Sequence, residues 1–138
     1  MDVKLILHPT DGSENALKAL AFACELAAEK KAQLLVLHVQ RRHGSERIPP
    51  EMEEFARLEG VRETEADLFR KAAQHIVADA QQKARARGLA TVEALVIEGD
   101  PARQIAEVAK KRNVDMIVMG SGGLGDLQGL LLGSVRTR

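Results

Sequence analysis

The amino-acid sequence predicts an α/β fold, an open parallel sheet with helices on both faces. Three observations carry that assignment. Short runs such as Leu34-Leu35-Val36-Leu37 and Met116-Ile117-Val118-Met119 are apolar at every position, the mark of strands buried on both sides. Longer stretches between such runs place their apolar residues at helical spacing. The last run then empties into a loop with four glycines in the six residues from Gly120 to Gly125. A strand's carboxyl end that opens into such a loop is where α/β proteins bind phosphate.

Taken in order, Val3 to Pro9 reads as the first strand, and Thr10-Asp11-Gly12-Ser13 punctuates it before a helix. From Asn15 on, Leu17, Leu20, Ala21, Cys24, Ala27 and Ala28 fall at i, i+3, i+4, i+7 spacing, so one stripe packs on the sheet. Cys24 lies in that stripe and reads as a small buried hydrophobe rather than a reactive thiol. Gln33 to Val39 is the second strand, which makes a right-handed βαβ unit with the first. Gln40 to Pro50 is a polar loop. Glu51 to Arg87 reads as one long helical stretch, broken around Gly60, with Phe69, Ala72, Ala73, Ile76, Ala80 and Ala84 as its apolar stripe and Gly88 as its terminator. Thr91 to Glu98 is the third strand. Asp100-Pro101 then announces a helix as N-cap and first helical residue, and Val114 to Met119 is the fourth strand.

The 138 residues have the size of one domain, residues 1–138, with no internal repeat. Lysine plus arginine and aspartate plus glutamate both number 20, so no net basic field recruits nucleic acid or an anionic membrane. Aromatic residues make up 2% of the chain, too few to stack single-stranded bases. One cysteine makes no internal disulfide, no apolar run has the length of a membrane span, and the first residues lack the layout of a signal peptide. The expectation is a cytoplasmic protein that holds any anion by local geometry.

Three glycine patterns compete for the loop after the fourth strand. A P-loop requires G-x-x-x-x-G-K-[ST], and no lysine follows Lys111. Gly120, Gly122 and Gly125 spell G-x-G-x-x-G, but a dinucleotide site needs an acid about 20 residues later and nothing beyond Asp126 is acidic. The third pattern is G-x2-G-x9-G-[ST], met by Gly120, Gly123, Gly133 and Ser134. With the preceding Val-Asp-Met-Ile-Val-Met and the run Leu130 to Val135, the chain closely resembles the ATP-binding branch of the universal stress protein family from Val3 to Val135.

That resemblance implies a Rossmann-like sheet of order 3-2-1-4-5, with the first and fourth strands adjacent where the order reverses. Family members continue past the G-S-V run with a helix and a fifth strand. This chain stops at Arg138, so the expected order is 3-2-1-4, with the fifth strand absent and the fourth a candidate exposed edge. The resemblance places Pro9, Thr10 and Asp11 on the adenosine side of a nucleotide. It sets Val39 backbone groups at the adenine edge and Met119 beside the base, with Gly120, Gly123, Gly133, Ser134 and Val135 around the phosphates. The implied ligand is ATP or another adenine nucleotide, with Mg2+ as a candidate companion, and the implied assembly is a homodimer or a complex with another protein.

The residues keep alternatives open. Asp11 can accept ribose or adenine donors, hold a metal on the phosphates, or serve as a turn aspartate. Met119 can be a core residue, and the glycines can form a tight loop without a ligand. His8 and His38 sit near the ends of neighbouring strands and read better as hydrogen-bonded histidines than as a metal pair. The leading function is an adenine-nucleotide-binding stress-response protein acting as a ligand-dependent regulator. A slow ATPase or autokinase and a non-nucleotide interaction module are the two competing readings.

Overall fold

A computed structural model describes residues 2–41, 65–120 and 130–133. In chain order these form β1 (Leu5–Pro9), α1 (Glu14–Lys30), β2 (Gln33–Gln40), α2 (Glu65–Ala86), β3 (Val92–Glu98), α3 (Pro101–Lys111), β4 (Met116–Gly120) and β5 (Leu130–Gly133). The expected long helix is seen over its second part, and 51–64, like the polar loop from Arg42 to Pro50, lies outside the described residues.

Local chemistry sets the helix ends. The Ser13 hydroxyl caps α1 by accepting from Ala16 N, and Asp100 caps α3 by accepting from Arg103 N, with Pro101 as the first helical residue. After α2, Gly88 takes φ +100, and its N–H reaches back to Arg85 O at 2.9 Å. Lys31 ends α1 in the same left-handed region, at φ 57, without being glycine.

The sheet order is β3-β2-β1-β4-β5. β1 pairs parallel with β2 from Leu5↔Gln33 to Pro9↔Leu37, and β2 pairs parallel with β3 from Leu34↔Val92 to Gln40↔Glu98. The chain steps from β1 to β2 to β3 in one direction, then crosses back to β4 on the far side of β1. Right-handed crossovers therefore put α1 and α2 on one face and α3 on the other. The core divides accordingly. Ile6, Leu20, Cys24, Leu34, Val36, Val77 and Val118 pack under α1 and α2, while Leu7, Leu35, Leu37, Ile105, Val108 and Met119 pack under α3. Cys24 is a buried free thiol inside the first cluster, and burial pushes its pKa up.

The parallel strands stand in the expected order 3-2-1-4. The structure corrects the expectation that no fifth strand follows and that β4 is an exposed edge: β5 runs antiparallel to β4, from Gly120↔Leu130 to Ile117↔Gly133. The physical reason is the backbone of β4, whose outer N–H and C=O groups need partners. The Leu130-Leu131-Leu132 run is apolar enough to lie against it.

Gly120 ends β4 at a point of close approach. A Cβ there would stand 2.7 Å from both the carbonyl carbon and oxygen of Asn15, in the first turn of α1. We expect Gly120→Ala to destabilise the fold by about 1–3 kcal/mol through this overlap, read as a lowered urea midpoint with an unchanged m-value. Asp100→Ala should cost about 1 kcal/mol through the lost cap on α3, measured the same way.

Candidate functional site

The order reversal brings the carboxyl ends of β1 and β4 together, and the approach of Gly120 to Asn15 shows how closely. The turn after β1 is built around Thr10. Its N–H donates to Leu37 O at 2.8 Å, its carbonyl accepts from His38 Nδ1 at 2.8 Å, and its buried hydroxyl oxygen accepts from Gly12 N at 3.1 Å. One residue thereby ties β1 to β2 and folds the turn back on itself. Gly12 takes φ +81, a conformation only glycine adopts without strain, and a Cβ there would lie 3.4 Å from Ile76 of α2.

Asp11 is exposed, and its Oδ1 accepts from Ser13 N at 2.9 Å. This is the local bond of a turn aspartate, one of the alternatives left open by the sequence. It occupies one carboxylate oxygen. Asp11 and Glu14 both sit at the amino end of α1, where their negative charge complements the helix dipole. The turn and N-cap bonds satisfy Ser13 N and Ala16 N at this helix end.

Pro9 is buried at the end of β1 and has no N–H to give β4. The β1–β4 register stops short at Leu7↔Ile117. A side chain takes over: His8 Nδ1 lies 2.8 Å from Val118 O, and because a carbonyl only accepts, Nδ1 carries the proton. The opposite nitrogen, Nε2, is buried with no hydrogen-bond partner among the described residues. Burial lowers the His8 pKa, against the upward pull of the Val118 carbonyl and the Asp11 carboxylate. His38 likewise spends Nδ1 on a backbone carbonyl, and among the described residues no group of three or more His, Cys, Asp or Glu side chains could hold a metal. The histidines are hydrogen-bonded, as the better sequence reading has them.

Val39 and Met119 differ in character. Leu37 O turns toward β1 and Gln40 O accepts from Gly99 N on the β3 side. Ladder alternation therefore turns the Val39 backbone groups toward the end of β1, beyond its last bond to β2. Met119 is buried in the cluster under α3, the core placement left open for it. Gly133 is paired with Ile117, three ladder steps, or about 10 Å, from Gly120. Gly123, Ser134 and Val135 lie outside the described residues. The sequence reading missed the roles of His8 and of the Thr10 hydroxyl. A proline ending a central strand was the available signal, since it removes a ladder donor whose place another group must take.

The His8 bond contributes about 1 kcal/mol, while its unpartnered Nε2 costs about 1–3 kcal/mol, so this ring is not a net source of stability. It also sets a pH dependence. The folded pKa lies below the unfolded value near 6.5, so the unfolded chain binds the proton first. The His8 contribution is intact above about pH 6.5 and is lost as pH falls through that value toward the folded pKa, at up to about 1.4 kcal/mol per pH unit. Urea midpoints compared between pH 7.5 and 5 should fall, and His8→Gln should flatten that slope.

Comparison with known proteins accords with this geometry. Residues 3–138 match the Universal stress protein family. Universal stress protein YxiE of Bacillus subtilis is 33% identical over 138 residues, covering 94% of this chain and 86% of the relative. A solved universal-stress-family protein from Burkholderia pseudomallei superposes with a TM-score of 0.65 at 27% identity, covering 87% of this chain and 83% of that one. The Arabidopsis thaliana universal stress protein solved with AMP bound shares the fold, with a TM-score of 0.58 at 22% identity over 88% of this chain and 79% of its own. With a family match that spans residues 3–138 and a relative 33% identical over nearly the whole chain, the chain belongs to the universal stress protein family.

Proposed function

We propose that this chain is an adenine-nucleotide-binding stress-response protein that acts as a ligand-dependent regulator. The observation that carries the proposal is the meeting of the Thr10–Ser13 turn, the Val39 backbone and the Gly120 end of β4 where the strand order reverses. Open α/β sheets bind ligands at such a point. The AMP held by the Arabidopsis relative, a protein of this fold, supports the choice of an adenine nucleotide.

In this reading the free oxygen of Asp11 accepts a ribose hydroxyl, with Pro9 and Thr10 shaping the adenosine side. Val39 N–H and C=O meet the adenine edge, and Met119 supports the base from the core. Gly120 and Gly123 begin the phosphate cradle, and Gly133, Ser134 and Val135 complete it, with Mg2+ on the phosphates of ATP. Gly133 stands three ladder steps from Gly120 in β5, so completing the cradle requires β5 to leave β4. That release is the change a partner, a second copy of the chain or another protein, would read.

Isothermal titration with AMP, and with ATP and Mg2+, tests the proposal on protein refolded free of carried-over ligand. Binding in the micromolar to millimolar range is expected, weakened about tenfold in Asp11→Ala, the equivalent of one hydrogen bond to a charged group. Hydrogen exchange at Leu131 and Leu132 should quicken when nucleotide is added. Absence of binding at millimolar nucleotide would overturn the assignment.

A further inference from the structure

At the opposite pole of the sheet, where the strands begin, lies a polar cavity of about 630 Å³. Lys4, Lys31, Arg112, Gln33 and Asn113 line it, together with Asp2, Leu5 and Asp115. We propose that this cavity is a second ligand site, for a small metabolite carrying two or more anionic charges, separate from the site between β1 and β4.

The side chains sort by what the protein already asks of them. Asp115 Oδ2 accepts from Lys4 N at 2.8 Å and from Leu5 N at 3.1 Å, so backbone donors of this chain draw on that carboxylate. Arg112 is held through both terminal guanidinium nitrogens by Glu93, which lowers the Glu93 pKa and fixes the guanidinium in place. The ammonium groups of Lys4 and Lys31 have no carboxylate partner among the described residues. With the Gln33 and Asn113 amides they supply donors that suit an anion, set against the exposed Asp2 carboxylate that borders the same cavity. A volume of this order is that of a small-molecule cavity.

The backbone points the same way. Among the described residues, Lys31 and Asn113 are the non-glycine residues with positive φ, at 57 and 54, and both line this cavity. Each follows a helix, at the position where glycine is the unstrained choice. Asparagine tolerates that conformation, whereas lysine gains nothing from it locally. A lysine kept there, with Lys4 in the same lining, places positive charge at the cavity at a conformational cost. The basic last turns of α1 and α3, with Lys30, Lys110 and Lys111, add a long-range field of the same sign.

Two substitutions separate this idea from simple surface charge. Lys31→Gly suits the left-handed backbone and should leave the melting temperature unchanged or raised, and Lys4→Gln removes the second ammonium. Titration of inorganic pyrophosphate, and separately of citrate, into the 15N-labelled full chain at constant ionic strength reads the site by amide shifts. Saturable shifts at Lys4, Leu5, Lys31, Gln33 and Asn113, in the millimolar range and about tenfold weaker in the double variant, are expected. Response to one anion only would identify phosphate or carboxylate as the preferred group. Shifts at those amides that never saturate, or that survive both substitutions, overturn the proposal, as does their absence, wherever else on the chain shifts occur. AMP binding at the other pole is read by different amides, so either site can fail without the other.

Discussion

The structure depends on how β1, the central strand, keeps hold of two neighbours although it ends in proline. Pro9 lacks the donor that would continue the ladder to β4, and the parallel register stops two residues earlier. His8 replaces the missing bond with a side chain aimed at Val118 O, and Thr10 fastens the other side through Leu37 and His38. One ladder is interrupted and the other prolonged where the order reverses, and there the turn after β1 and the end of β4 border a common site. The same arrangement buries an imidazole whose Nε2 has no partner among the described residues, and that burial lowers its pKa.

Electrostatics follows from topology. Every helix of a parallel α/β sheet runs against its strands, so helix amino ends gather at one pole and carboxyl ends at the other. Acidic residues cap the first pole, with Asp11, Glu14 and Asp100 at the starts of α1 and α3. Basic residues crowd the second, where α1, α2 and α3 end in Lys30, Lys83, Arg85, Lys110 and Lys111. Each placement favours its helix dipole by a few tenths of a kcal/mol, up to about 1. A chain with no net charge thereby acquires two poles of opposite character, which composition does not reveal.

Much of the fold was legible residue by residue. β2 and β4 announced themselves because strands buried on both faces are apolar at nearly every position, and α3 because Asp100-Pro101 supplies an N-cap and a first helical residue. Gly88 was legible as a terminator for the same local reason. β5 was not, because Leu130 to Gly133 becomes a strand only through the free edge of β4, a partner set by the sheet order. At the candidate site, the sequence singled out Asp11 and Gly120 but could not rank the causes. Asp11 closes a turn through one oxygen, and Gly120 makes room for the backbone of Asn15. Both are constraints between neighbours in space.

By itself, then, the sequence determined the alternation of strands and helices and the helix ends at Gly88 and Asp100, because each depends on apolar periodicity or on backbone chemistry within a few residues. Tertiary structure alone decided that Gly133 pairs with Ile117, that Met119 enters the core, and that His8 substitutes for a ladder donor. It also decided that Lys4, Lys31 and Arg112 share one cavity. Those outcomes rest on contacts between residues as many as 111 positions apart, which exist only once the crossover connections have set the order of the strands.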